Sequence, residues 1–433
     1  MTSLISQNWK IEHCCPQCGA PVVLEETDRI FQCSFCRVRL FIWSGDHFRY
    51  FIAPKAPVPG PLVFVPYWRL KGIIYSLDGA QISSGIIDSS LLAVGSVPLP
   101  PSLGVRPQVL KLRYATPEVC GVFLTPDLPF RALASGDLIS PVPAAHPDPE
   151  GQIPLKYFIG EAVSLIFAPV FARGNTLFDA VLRKPLGAVP EAVRNRLPGA
   201  EARTVPPDAA PSGPALASPG RIGFLATQCP RCGWDLEGER DSLVLFCRNC
   251  SSSWRAEGGA LRGVDFSFQE PGSESSVYLP FWRIRAGVSG LTLGSYGDLL
   301  RLANLPGTMP KGRENSELHF WIPAFKSQPN LFLRLARGLT ILQKDADTGP
   351  EPSRSPLFPV TLPIGEALES IRILIASLAV PKRLIFPRIH EIDLSHEGHT
   401  LVYLPFVERG EELIQPQIRM SIQKNALKWG RLI

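Results

Sequence analysis

The amino-acid sequence predicts an α+β fold that is mostly β, arranged as two tandem copies of one unit. Each copy joins a small four-cysteine ribbon to a larger β-rich domain, and a Pro/Ala-rich linker separates the copies. Three observations carry this reading. Eight of the ten cysteines fall into two identical frames: Cys15-x2-Cys18 with Cys33-x2-Cys36, and Cys229-x2-Cys232 with Cys247-x2-Cys250. Every cysteine of the second frame lies 214 positions after its counterpart. Proline supplies 44 of 433 residues, about twice ordinary usage, which points to strands and turns over long helices. Short apolar runs bounded by Gly, Pro or Asp recur in both halves, as at Val63 to Leu70, Val119 to Leu124, Leu318 to Pro323 and Leu401 to Val407.

Taken in order, residues 1–45 read as the first ribbon and 46–186 as the first β-rich domain. Residues 187–220, rich in Pro, Ala, Gly and Arg, read as a semi-extended linker with a short helical turn. Residues 221–257 then read as the second ribbon, and 258–433 as the second β-rich domain. The repeat runs past the cysteines, since FVPYWRLKG (Phe64 to Gly72) aligns with YLPFWRIRA (Tyr278 to Ala286) at the same 214-residue offset. IGEA recurs at Ile159 to Ala162 and Ile364 to Ala367, and IFAPVFARG (Ile166 to Gly174) recurs as VYLPFVERG (Val402 to Gly410). The second domain therefore carries an insertion. Within it, Ile364, Ala367, Leu368, Ile371, Leu374, Ile375 and Leu378 are spaced as one face of an amphipathic helix. Lys344 to Pro356 reads as an exposed loop and Leu99 to Pro107 as a structured turn. Pro66, Pro169, Pro280, Pro323 and Pro405 lie inside apolar runs. Because proline donates nothing to a ladder, they belong at sheet edges, at bulges or where strands begin.

The length asks for two to four domains, and 45% hydrophobic content supports real cores. A net charge of +5 neither requires nor excludes an anionic partner. The start lacks the basic and apolar regions of a secretory signal, and no stretch reaches membrane-span length; the best, Ile373 to Val380, is eight residues. Thiols spaced for metal fit a reducing compartment, so cytoplasm is the expectation.

A C-x2-C pair brings two thiolates onto one ion from a single tight turn, and two pairs complete a tetrahedral shell. Cys15, Cys18, Cys33 and Cys36 thus form one candidate site, and Cys229, Cys232, Cys247 and Cys250 the other, for two Zn²⁺ per chain. CPQCG and CPRCG place Gly after the second cysteine, where the turn needs φ > 0, whereas CSFC and CRNC lack it. These units resemble zinc ribbons of transcription factors, RNA polymerase subunits and many bacterial proteins. That resemblance covers about 22 residues per copy and implies the ribbon fold and zinc. With its VPYW and LPFW strands, the chain is also similar to bacterial zinc-ribbon proteins, a resemblance that implies no activity. Iron in a rubredoxin-like shell is the chemical alternative, though rubredoxins use a longer separation and a second CPxCG. Arg37, Arg39, Arg231 and Arg248 are placed to offset the negative thiolate shell. Cys14 is adjacent to Cys15, but the constant offset favours Cys15; Cys120 reads as an inert buried strand cysteine.

Two other groups stand out. Tyr67-Trp68-Arg69 recurs as Phe281-Trp282-Arg283, which reads as a core aromatic with a surface arginine, or as a stacking platform. His390, His396 and His399 lie in PRIHEIDLSHEGHTL, three histidines close enough to bind a metal, although the segment reads as two strands joined by a polar SHEG turn. No Walker loop, G-x-G-x-x-G, H-E-x-x-H or G-x-S-x-G is present. The expectation is a non-enzymatic zinc-binding scaffold that mediates protein–protein interaction, with nucleic-acid binding and an iron-containing redox accessory as alternatives. Acids in both ribbon hairpins (Glu25, Glu26, Asp28; Asp235, Glu237, Glu239, Asp241) weigh against nucleic acid.

Overall fold

The structure, a computed structural model, describes residues 9–54, 56–78, 81–95, 97, 99–104, 110–129, 155–195, 222–270, 276–305, 312–344, 356–415 and 420–431. Strand outweighs helix, 46% to 16%, as the proline and short apolar runs require. The first half holds β1 (Lys10–Cys14), β2 (Pro21–Glu25), β3 (Ile30–Gln32) and β4 (Arg39–Ser44) around the first cysteine quartet. It continues with β5 (Phe48–Ile52), β6 (Leu62–Asp78), β7 (Gln81–Leu92), β8 (Leu112–Tyr114), β9 (Val122–Phe123), β10 (Leu155–Arg173), β11 (Thr176–Asp179) and β12 (Pro185–Ala188). The second half holds β13 (Ile222–Ala226), β14 (Val244–Cys247) and β15 (Ser252–Glu257) around the second quartet. Next come β16 (Ala260–Gly263), β17 (Phe266–Phe268), β18 (Ser276–Ser289), β19 (Phe320–Pro323), β20 (Asp393–Arg409), β21 (Glu412–Gln415) and β22 (Met420–Gln423). Most of the linker (196–220) and of the loop at Lys344 to Pro356 lies outside the described residues, although a short helix stands at Glu191–Arg194.

The two large sheets share a pattern of pairing. In the first, the long strands β6 and β10 run antiparallel, β5 lies parallel on β10, and β11 and β12 extend the sheet beyond β10. In the second, β18 and β20 run antiparallel, β17 lies parallel on β20, and β21 and β22 extend it likewise. Gly174 and Gly410, both at φ +59, turn the long strand into its hairpin in each half. The IFAPVFARG and VYLPFVERG segments therefore occupy like places.

The other short repeat does not. IGEA at Ile159 to Ala162 lies in β10, whereas IGEA at Ile364 to Ala367 starts a helix. Four residues are too few to dictate a conformation. The β-branched and aromatic residues that follow the first make a strand, while the 3.6-residue apolar period following the second makes a helix. That helix, Ile364–Leu378, has the predicted range, and Ala367, Ile371, Leu374, Ile375 and Leu378 are buried. It docks internally, in a core shared with Ile73, Tyr75, Leu77 and Ile159 of the first half. The Gly160 N–H donates to Glu366 Oε2 at 3.0 Å, and the Tyr75 hydroxyl donates to the Pro329 carbonyl at 2.8 Å.

Pro66, Pro169, Pro280 and Pro405 sit within paired long strands, not at sheet edges. Each marks a change of neighbour on one side. On β10, pairing with β5 stops at Phe167 and pairing with β11 starts at Val170. On β20, β17 stops at Tyr403 and β21 starts at Val407. The carbonyls of Pro66, Pro169 and Pro280 accept from the N–H of Ala93, Ala180 and Ala324, just beyond a ladder's end. N–H and C=O of one residue point to the same side of a strand, so the missing donor faces the residue that closes the ladder; at Pro66 and Pro280 the carbonyls opposite, of Ala93 and Ala324, accept instead from Asp127 and Leu128 and from Thr361 and Leu362. Pro323 closes the edge strand β19.

The histidine segment also differs from expectation. His390 lies in a 3₁₀ segment, Phe386–Glu391, and SHEG is no turn but part of the single strand β20. The register slips there, between Arg285 and Ala286 opposite Gly398 and His396, so the extra residue is absorbed as a bulge.

Candidate metal centres

Each first knuckle is a tight backbone loop. Cys15 N–H donates to the Ala20 carbonyl and Gly19 N–H to the Cys15 carbonyl, both at 2.8 Å. In the second ribbon Cys229 N–H reaches the Trp234 carbonyl at 2.7 Å and Gly233 N–H reaches the Cys229 carbonyl at 2.8 Å. Gly19 and Gly233 both sit at φ +74, where a Cβ is disfavoured. The second knuckles close the same way without glycine. Cys33 N–H meets the Val38 carbonyl at 3.0 Å, and Arg37 takes φ +61; its counterpart Ser251 takes φ +46. Left-handed backbone at a non-glycine residue costs about 1–2 kcal/mol. Arg37→Gly and Ser251→Gly are therefore each expected to raise stability by about 0.5–1 kcal/mol after the entropy of the unfolded chain is counted. Chemical denaturation at saturating metal checks this; unchanged or lower midpoints for both variants would show that no strain is released.

These loops aim four sulfurs at one point in each ribbon. Within each quartet all four Sγ atoms lie within 4.8 Å of one another. Cys15–Cys36 and Cys18–Cys33 are both 3.7 Å apart, Cys229–Cys250 is 3.5 Å and Cys232–Cys247 is 3.4 Å. A tetrahedron with Zn–S bonds of about 2.3 Å has S···S edges of about 3.8 Å, so the quartets have the size of such a shell. They are far too open for S–S bonds of about 2.05 Å. Cys15, Cys33, Cys229 and Cys247 are buried, whereas Cys14, on β1 beside Cys15, is exposed and takes no part. Strand alternation turns the adjacent side chain away.

The thiols feel one another strongly. The N–H of Cys36, helped by that of Phe35, holds the Cys33 thiol down to about 6 against the opposing effect of burial. Burial and the neighbouring thiols Cys232 and Cys250 push Cys247 up to about 12. Four anionic sulfurs this close repel, and a divalent cation removes that repulsion.

One difference between the quartets is invisible in the spacing. The Ser252 hydroxyl lies 3.0 Å from Cys250 Sγ and 3.5 Å from Cys229 Sγ, and itself accepts from Trp254 Nε1 at 2.8 Å. The corresponding residue of the first ribbon is Val38.

The ribbons lie side by side. Strand β13 of the second half pairs with β4 of the first, giving the sheet β13-β4-β3. The Arg240 carbonyl accepts from Arg29 N–H at 2.6 Å and Ile30 N–H at 2.8 Å. Arg39 Nη1 donates to the Leu236 carbonyl at 2.9 Å and Nη2 donates to the Gly238 carbonyl. Ile30, Phe41, Leu236 and Leu245 share a core with Cys229 and Cys247. Arg39, expected to offset thiolate charge, thus stitches one ribbon to the other's backbone. Arg248 pairs with Glu237 at 2.7 Å on the surface.

The remaining sequence candidates take structural places. Tyr67, Trp68, Phe281 and Trp282 are all buried, and the Trp68 and Trp282 N–H groups donate to the carbonyls of Leu128 (2.7 Å) and Leu362 (2.9 Å). Their faces offer no stacking platform. Arg69, expected on the surface, is 0% exposed. It donates to Glu26 at 3.0 and 3.2 Å and to Asp88 at 2.6 Å, with Trp9 stacked 3.8 Å from its guanidinium. Lys71 also reaches Glu26, at 3.2 Å. Sequence reasoning missed this cluster because Glu26 belongs to the ribbon hairpin, 43 residues from Arg69. Arg283 Nη2 lies 3.1 Å from His319 Nδ1. His396 Nε2 and His399 Nδ1 are 3.0 Å apart, and among the described residues the groups able to hold an ion are the two cysteine quartets alone. Cys120 is exposed, not buried: the turn Thr116–Val119 and Gly121 at φ +147 carry it out of any strand. No family model, curated protein or solved structure matches the chain.

Proposed function

We propose that the protein is a non-enzymatic scaffold in which two zinc ions brace paired ribbons, and that the surface they hold binds another protein. The size and closure of the two four-sulfur quartets carry this reading. Four thiolates complete the coordination of a tetrahedral ion and leave no position for water or substrate, which favours structure over catalysis. All-sulfur tetrahedral shells also suit iron, and the knuckle spacing favours zinc. On this reading the ribbons (1–45 and 221–257) and the β-rich domains (46–186 and 258–433) are copies of one ancestral unit, working in the cytoplasm. No helix among the described residues is long and apolar enough to cross a membrane.

Native mass spectrometry with elemental analysis tests the metal. Two zinc ions per colourless chain are expected, and iron or an empty folded chain overturns the assignment. Mild crosslinking in the source cell tests the partner: one protein is expected in stoichiometric yield, and its absence leaves the scaffold reading without support.

A further inference from the structure

One difference between the two ribbon hairpins leaves backbone groups open. In the second, Glu237 and Phe246 exchange both backbone hydrogen bonds, at 2.7 and 2.9 Å, and close the hairpin. The residues 214 positions earlier are Val23 and Gln32, and no bridge joins them. Instead β2 ends the ten-stranded sheet and β3 ends the sheet β13-β4-β3. Antiparallel ladders bond at alternate residues, which fixes where the free groups face. Cys15 bonds to Ala20 and Glu26 to Trp9, so β2 meets β1 through Val22 and Leu24. Val23 N–H and C=O therefore face away from β1. Cys33 bonds to Val38 and Ile42 to Arg29, so β3 meets β4 through Phe31, and the polar groups of Gln32 face away from β4.

Both open edges border one groove of about 820 Å³. Val22, Val23 and Leu24 give it apolar lining, with Val23 46% exposed, and Arg37, Arg39, Arg240 and Arg431 line it as well. Arg240 already holds Asp28. Arg37 has no carboxylate partner among the described residues, and Arg39 donates to carbonyls alone. Two guanidinium charges are thus unmatched by acids, since the groove's own carboxylate, Glu239, is held by Arg431 at 2.6 Å.

We propose that this groove receives an extended strand from a partner protein, hydrogen-bonded to Val23 and Gln32. The strand is β-branched over Val22 to Leu24 and acidic where it passes Arg37 and Arg39. The proposal rests on the protein-binding reading above and gives that partner its chemistry. Strand edges accept strands, since only an extended backbone presents N–H and C=O at the matching period. Guanidinium forks select carboxylates. Single-stranded nucleic acid is disfavoured because no aromatic side chain lines the groove for a base to stack on.

A displayed random-octapeptide library, selected on the metal-loaded protein, tests this. Val23→Pro removes the donor that faces the groove while sparing the β1 ladder, and Arg37→Glu reverses the unmatched charge; both are first checked for two metals and wild-type melting. Selected peptides are expected to alternate β-branched and acidic residues and to lose about tenfold or more in affinity for either variant, the loss of one good contact. Hydrogen exchange supplies a readout independent of sequence. Val23 and Gln32 amides should exchange faster than Glu237 and Phe246 in the free protein, and slow when the selected peptide is added. Peptides that bind both variants like wild type, no enrichment, or displacement by a dT12 oligonucleotide would each overturn the groove. A native partner that crosslinks equally to wild type and V23P removes this site and spares the scaffold; a selected peptide without any native partner does the reverse.

Discussion

Replacing Cys33 with serine is expected to leave one metal per chain and to unfold the first ribbon together with the strands attached to it. Cys33 is buried in a core that includes Phe31, Ile42 and Tyr50, and its sulfur lies 3.7 Å from that of Cys18. Structural zinc in isolated finger peptides binds with about 10–16 kcal/mol, and much of that binding energy is folding energy. Losing one of four thiolates therefore removes more than the roughly 5–15 kcal/mol margin of an ordinary domain can absorb locally. The damage should spread, because β1 and β2 belong to the ten-stranded sheet and β4 holds β13 of the second half. Hydrogen exchange should rise over residues 10–52 and at β13, and native mass spectrometry should count one ion. Cys14→Ser is the control, expected to keep both ions and the wild-type melting curve, since Cys14 is exposed outside the quartet. Two ions retained by the Cys33 variant would remove Cys33 from the shell.

The second large effect is expected at Glu26, which is 5% exposed and accepts from Arg69 and Lys71. Glu26→Gln removes the carboxylate that Arg69 and Lys71 share, and breaking such a buried pair costs about 3–5 kcal/mol. The pH dependence has a definite sign. Burial alone raises the Glu26 carboxyl, but Arg69 and then Lys71 outweigh it and hold it below its ordinary 4.5. A carboxyl depressed in the folded state stabilises fully above its unfolded value and loses that contribution as pH falls through the folded one. Wild type and the Gln variant should therefore differ most near neutrality and converge below pH 4.5. Lys71 works the other way: burial lowers it from 10.5, so the unfolded chain binds more protons just below that value and stability rises there with pH. Replacing Glu26, Arg69 and Lys71 together by apolar residues of similar volume should recover much of the loss, because the desolvation penalty goes with the charges. Urea midpoints from pH 3 to 8 decide the matter, and a flat difference across that range would show that ionised Glu26 is not the origin.

Much of the site was legible because it is local. A C-x2-C knuckle is closed by its own backbone, so spacing alone indicates which eight sulfurs converge, and the structure gathers those same eight. The Ile364–Leu378 helix was legible for the same reason, since its period lies within fifteen residues. Arg69 was misplaced because the sequence around it reads as a strand surface, and only the fold brings Glu26 over it. IGEA was misread as a structural repeat because four residues carry identity without conformation. Cys120 looked buried from its apolar neighbours, but a turn two residues away decides its exposure.

By itself, the sequence determined the local chemistry: the thiols that converge in fours, the turns that need glycine, the strands and the amphipathic helix. Each depends on residues near one another in the chain, whose geometry the backbone sets directly. The tertiary structure decided what lies between segments: β13 against β4, Glu26 between Arg69 and Lys71, and an open edge at Val23 where the second ribbon is closed at Glu237. Such contacts join residues tens to hundreds of positions apart, and their partners are chosen by the packing of whole sheets, which no short-range pattern encodes.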